Sequence, residues 1–188
     1  MDANPSETAV HEAALGTDMS GLWVRDNTKN INLGPYLRAH GHSEEEAIRL
    51  AAKPYIQQWS REDKEGSNPL AWIVGTYEAD GVTLRRQIVY HIGDWDEPFH
   101  GNSTLFGDTA GIVHRHTAWA PQRLADTGVA HVTTSDTPKG REETSRWIQM
   151  VDGRRCMVVQ RTFQPKPGPV PGASVNETSC ATEHFFLQ

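Results

Sequence analysis

Ser43-Glu-Glu-Glu-Ala-Ile-Arg-Leu-Ala-Ala-Lys53-Pro54-Tyr-Ile-Gln-Gln-Trp59-Ser60 holds the change of period on which the fold turns. Ser43 with Glu46 three residues on is a capping box, because each side chain satisfies an orphan backbone N–H of the other residue at the start of a helix. That helix runs through Ala47 to Ala52 and stops at Lys53, since the residue before a proline is pushed out of the helical region. After Pro54 the period becomes two and stays so. Short strand-like runs then alternate with turn signals.

Upstream, Leu33, Tyr36 and Leu37 have helical spacing, and His40-Gly41-His42 breaks it. A helix-turn-helix is therefore expected over about residues 30–53, after a short strand at Leu22-Trp23-Val24. Downstream, strands are expected at 55–61, 70–78, 83–92, 94–99, 111–119, 128–134, 144–151, 155–163 and 179–187. With the first strand this makes about ten. Asp80-Gly81 and Asp152-Gly153 stand between paired runs as hairpin turns, and such a meander closes into an antiparallel up-and-down β-barrel. Gln164 to Gly172 contains four prolines and reads as an exposed loop. Residues 1–19 are polar and read as a loose, flexible N-terminal extension, leaving 20–188 as one barrel domain.

Composition agrees with a soluble globular domain. The 188 residues are 37% hydrophobic and 22% charged, and no apolar run approaches the roughly 20 residues of a membrane helix. The formal charge of −6, from 24 acidic and 18 basic residues, gives nucleic-acid binding no electrostatic drive. Cys156 and Cys180 read as reduced, buried thiols in a cytoplasmic protein. The sequons at Asn102 and Asn176 read as chance loop sequence.

Local motifs carry a resemblance. Gly21-Leu-Trp23-Val, Asn30-Ile-Asn-Leu-Gly-Pro-Tyr36-Leu-Arg-Ala-His-Gly41, Ala51-Ala-Lys53-Pro54 and Ile88-Val-Tyr90-His-Ile92-Gly93-Asp-Trp95-Asp96-Glu97 are similar to segments of the intracellular fatty-acid-binding protein family. A Gly-x-Trp opening is shared with the lipocalins, which build an eight-stranded barrel. The resemblance implies a barrel around one apolar ligand, with the helix pair as a lid. Many members of that family hold a carboxylate with an Arg and a Tyr two apart on the last strand. Here Thr182 and His184 stand at those positions, so that clamp is not expected there. Arg161-Thr-Phe163 has a similar look but precedes the proline-rich loop.

Residues for chemistry follow from strand alternation. His114 and His116 share one face of their strand, and His184 shares one with Thr182. If inward, these imidazoles bring groups that titrate near neutrality into an apolar cavity, as general acid–base work requires. Glu97 follows Trp95 by two and burial would raise its carboxyl pKa. Tyr90, Trp72 and Trp95 are expected to line the cavity with Thr182 and Arg161. His-x-His also suits a metal, but position 108 is Asp and residues 118–120 offer no acid, so neither metal nor cofactor is expected.

Phosphate-binding and serine-nucleophile motifs are absent. Two functions fit. One is a cofactor-free isomerase or cyclase using His184, His114, His116 and Glu97 as acid–base groups. The other is a non-catalytic carrier of a lipid-like or other hydrophobic ligand. Absence of the Arg/Tyr pair, together with several histidines on candidate inward faces, tilts the reading toward catalysis.

Overall fold

A computed structural model of the chain describes residues 5–61, 66, 68–99, 111–166 and 177–188. Ten strands form one antiparallel sheet that curls on itself: β1 (Gly21–Arg25), β2 (Ile56–Ser60), β3 (Trp72–Tyr77), β4 (Leu84–Tyr90), β5 (Gly93–Phe99), β6 (Gly111–Pro121), β7 (Val129–Asp136), β8 (Gly140–Val151), β9 (Arg154–Pro165) and β10 (Ser179–Leu187). Their order is β4-β3-β2-β1-β10-β9-β8-β7-β6-β5. Every neighbour is therefore a chain neighbour except β1 and β10, which join the two ends of the chain with Trp23 opposite Leu187. This is the expected mainly β barrel.

Strands β4 and β5 are the two edges of the sheet and share no backbone ladder. Side chains close the seam instead: Arg86 of β4 pairs with Glu97 of β5, and the Tyr90 and Trp95 rings meet edge to face at 5.8 Å. At Asp152-Gly153, φ angles of 51° and 72° give the left-handed pair that a two-residue hairpin turn between β8 and β9 requires. β9 reaches two residues further than expected, because Gln164 and Pro165 pair with Arg141 and Gly140. The rest of the proline-rich stretch, from Pro167 on, the sequon at Asn102 and the asparagine of the sequon at Asn176 lie outside the described residues.

The helix pair forms as its caps dictate. α2 (Leu33–Ala39) is followed by α3 (Glu44–Ala52), whose capping box of Ser43 and Glu46 is formed in both directions. The pair packs Leu33, Tyr36, Leu37 and Ala47 onto Phe163 and Ala181. No helix among the described residues is long and apolar enough to cross a membrane.

One expectation changes at the N-terminus. Residues 7–16 form a helix, α1 (Glu7–Gly16), capped by the Ser6 hydroxyl. Anchors just past its C-terminal end hold it in place: Thr17 meets Thr127 at 2.7 Å, Arg61 donates to the Thr17 carbonyl, and Met19 is fully buried against Trp23. Composition hides these anchors because each is a single residue whose partner lies 40 or more positions away or inside the barrel. Cys156 is buried, as expected, whereas Cys180 lies on the outer face of β10, exposed.

Candidate functional site

Alternation along the strands sorts the interior into three layers. Lowest is an aromatic core of Met19, Trp23, Trp59, Trp72, Val74, Ile148, Met157 and Phe185. Uppermost are the lid residues Tyr36 on α2 and His40 at its C-terminal cap, His40 stacking on Phe163 at 3.8 Å. Between them lies a belt of charge. Among the described residues, the guanidinium groups of Arg25, Arg86, Arg115 and Arg161 meet the carboxylates of Glu97, Glu142 and Glu183 there, and that of Arg146 meets the Tyr90 hydroxyl.

The pairing is uneven. Glu183 takes Arg25 and Arg161, each at 2.7 Å, and Arg161 reaches on to Glu142 at 3.2 Å. Arg25 also donates to the carbonyls of Leu50, Ala51 and Lys53, placing a cation at the C-terminal end of α3, where the helix dipole is negative. Glu142 faces His40 Nε2 at 3.4 Å, and Lys139 donates to the His40 carbonyl. Glu97 is held by Arg115 at 2.6 Å and by Arg86 across the seam.

That leaves Arg146. It is 5% exposed, and among the described residues no carboxylate pairs with it. Its guanidinium donates to Tyr90 Oη at 3.1 Å and more weakly to Thr133 Oγ1 and the Thr144 carbonyl at 3.4 Å, and it lies 4.8 Å from the Tyr90 ring centre. Burial by itself raises the Tyr90 phenol, yet the field of Arg146, Arg115, Arg161 and Arg86 prevails and holds it below its ordinary value.

His131, fully buried and boxed by Trp59, Tyr90 and Trp119 at 5.3–5.9 Å, has neither ring nitrogen hydrogen-bonded. Burial, then Arg146, holds it well below the usual imidazole range, so it is neutral. Trp72 and Trp119 also keep indole N–H groups without acceptors. A buried cation that no carboxylate among the described residues pairs with, beside unsatisfied donors, is an environment that favours an anionic group.

The interior is most open beside the seam. Thr76 and Ile88 on the inner face are half-buried, and the Arg86 side chain is 43% exposed.

Tyr90, Trp72, Trp95, Glu97 and Arg161 face inward as the strand pattern implies. Glu97 is an ion-pair partner there, not an isolated acid. Thr182 and His184 do not: the inward residues of β10 are Ala181, Glu183 and Phe185, so the expected faces are off by one residue. His184 Nδ1 sits 3.0 Å from the Lys29 carbonyl on the outside of the wall. His114 and His116 likewise point outward, 70% and 53% exposed, because Val113, Arg115 and Thr117 take the inner face of β6. Sequence reasoning misses Arg146, Glu142, His131, Arg115 and His40. For Arg146 and Glu142 a signal exists, since Glu142-x-Thr144-x-Arg146-x-Ile148 keeps strand alternation once β8 is begun at Gly140.

Comparison with known proteins gives the fold. No protein-family profile and no curated protein sequence matches the chain. Among solved structures it is similar to the fluorescent protein UnaG, with 17% identity, 90% of this chain and 97% of that one covered, and a TM-score of 0.57. It is similar also to human cRBP IV, with 10% identity, 92% and 99% coverage and a TM-score of 0.56. The fatty-acid-binding protein isolated from Manduca sexta aligns with 10% identity, 90% and 99% coverage and a TM-score of 0.52. The chain has the fold of the fatty-acid-binding proteins.

Proposed function

We propose that this chain is a non-catalytic carrier that holds one amphipathic anion inside the barrel. The apolar body of the ligand lies against the aromatic core, and its acidic group lies at Arg146 and Tyr90. One observation carries the reading: Arg146 is a buried guanidinium without a carboxylate partner among the described residues, in a belt where arginines outnumber acids. Solved structures of this fold include proteins described as a fatty acid transporter and fatty-acid-binding proteins, which supports a hydrophobic ligand. Two free thiols suit a cytoplasmic working place.

An isomerase or cyclase needs acid–base groups in contact with the substrate. Three of the four residues expected for that work, His184, His114 and His116, face away from the interior, and the fourth, Glu97, is shared by two guanidinium groups. The carrier reading needs none of them.

Calorimetric titration tests this with hexadecanoate and hexadecanol, ligands of equal chain length that differ in charge. Hexadecanoate is expected to bind one to one and more tightly than the alcohol. Arg146→Gln should weaken the acid about 10- to 100-fold, the scale of a hydrogen bond to a charged group, and leave the alcohol unchanged. Equal binding of acid and alcohol, or no effect of Arg146→Gln on the acid, would overturn the reading.

A further inference from the structure

Two of the three histidines that miss the interior, His114 and His116, stand in a built arrangement of their own. On β6, His114 and His116 are two residues apart, so their Cα atoms are about 6.8 Å apart and both side chains leave the outer face. β5 lies alongside in register, Asp96 opposite His114 and Asp94 opposite His116. Each aspartate grips its histidine: Asp96 Oδ1 is 2.6 Å from His114 Nδ1, and Asp94 Oδ1 is 2.7 Å from His116 Nδ1.

Those contacts decide the tautomer. An ionised carboxylate only accepts, so Nδ1 carries the proton in both rings, and in the neutral imidazole Nε2 is left with its lone pair. Both lone pairs belong to rings open to solvent. A carboxylate on one ring nitrogen that frees the other is the arrangement which orients metal-ligating histidines and raises their basicity. On the far side of β6, Asp136 of β7 stands opposite His114. These residues, with Arg141, line a surface cavity of ≈310 Å³. Arg115 also borders the cavity, but its guanidinium turns inward to Glu97, so three aspartates stand against Arg141 and make that face attractive to a cation.

We propose that His114 Nε2 and His116 Nε2 chelate one divalent transition-metal ion on the outer face of β5, β6 and β7. Asp94 and Asp96 are positioning residues for the two rings. Among the described residues no three His, Cys, Asp or Glu side chains surround one point. The protein therefore supplies two nitrogens, and water fills the remaining positions. Imidazole donors select Cu(II) and Zn(II) over Mg(II) and Ca(II), which take oxygen ligands, and Cu(II) binds ahead of Zn(II). The site is separate from the barrel interior and does not depend on what the interior carries. Spacing along one strand does not show it, because the orienting carboxylates come from the neighbouring strand.

The test is calorimetry and electron paramagnetic resonance on the metal-free chain at pH 7.4, with copper(II) chloride, zinc sulfate and magnesium chloride. One saturable equivalent of Cu(II) is expected, with nitrogen hyperfine structure from two imidazoles, weaker Zn(II) binding and no Mg(II) binding. His114→Ala and His116→Ala should each weaken Cu(II) at least 10-fold, with far-ultraviolet circular dichroism unchanged. Asp96→Asn should weaken it about 10- to 100-fold while both nitrogens stay in the spectrum. The chain has nine histidines, so Cu(II) binding that survives in the double variant His114→Ala/His116→Ala places the metal elsewhere and overturns the proposal. Absence of Cu(II) binding below millimolar concentration also overturns it.

Discussion

Glu142 joins three elements through one carboxylate: α2 by His40, β9 by Arg161, and its own β8 by the Thr144 hydroxyl at 3.0 Å. Burial alone pushes its pKa up, but the contact with His40 and the charge of Arg161 outweigh burial and bring it down to about 2 from an ordinary 4.5. A carboxyl with a depressed folded-state pKa stabilises the fold above its unfolded value, and that contribution is lost as pH falls through the folded one. The window therefore runs from about pH 4.5 down to about pH 2. The amount is on the order of 3 kcal/mol, at 1.36 kcal/mol for each unit. Glu142→Gln is expected to lower stability at pH 7 and to flatten the acid limb of a urea-midpoint against pH curve. A variant whose acid limb keeps the wild-type slope would show that other carboxylates carry it.

At the scale of elements, β10 shows where sequence reading stops. The order of strands, the two lid helices and the caps follow from period and turn residues, which are local. Which face of a strand points inward is not local when both faces hold polar residues. Thr182, Glu183 and His184 are all polar, and Phe185-Phe186-Leu187 gives no alternation. Glu183 takes the inner face because Arg25 and Arg161, 158 and 22 residues away, neutralise it there. On β6 the same holds for Arg115, an inward charge whose partners Glu97 and Ser135 sit on the flanking strands. The order of the strands and the aromatic residues Tyr90, Trp72 and Trp95 are thus legible in the sequence, whereas the start of β8 at Gly140 and the charged belt are not.

The two faces of β10 should behave differently on substitution. Glu183→Gln leaves two buried guanidinium groups short of a counter-charge and is expected to cost about 3–5 kcal/mol. His184→Ala removes one hydrogen bond outside the barrel and should cost about 1 kcal/mol, with hexadecanoate affinity unchanged. Urea unfolding of both variants checks the first comparison and calorimetry the second. A loss of hexadecanoate binding in His184→Ala would return that residue to the interior.

Across the whole molecule the wall is unequal. β8 and β9 pair over twelve residues, while β4 and β5 approach without a ladder and rely on the Arg86–Glu97 ion pair and one ring contact. The lid, by contrast, is bound through buried groups: Arg25 to three carbonyls of the α3 end, and His40 beside Glu142. Among the described residues, opening the seam breaks one half-exposed ion pair and one ring contact, whereas lifting the lid uncovers Tyr36, His40, Leu37 and Phe163 from a sealed apolar contact. Parting the seam costs less, so a carried ligand is expected to enter between β4 and β5. Salt screens the Arg86 side chain, which is 43% exposed, more than the buried pairs. Arg86→Ala should then speed hexadecanoate association and dissociation several-fold in stopped-flow tryptophan fluorescence and leave the rate less sensitive to salt. If the ligand passes under the helices instead, Arg86→Ala leaves the rates and their salt dependence as they were, and His40→Ala is the variant that quickens them.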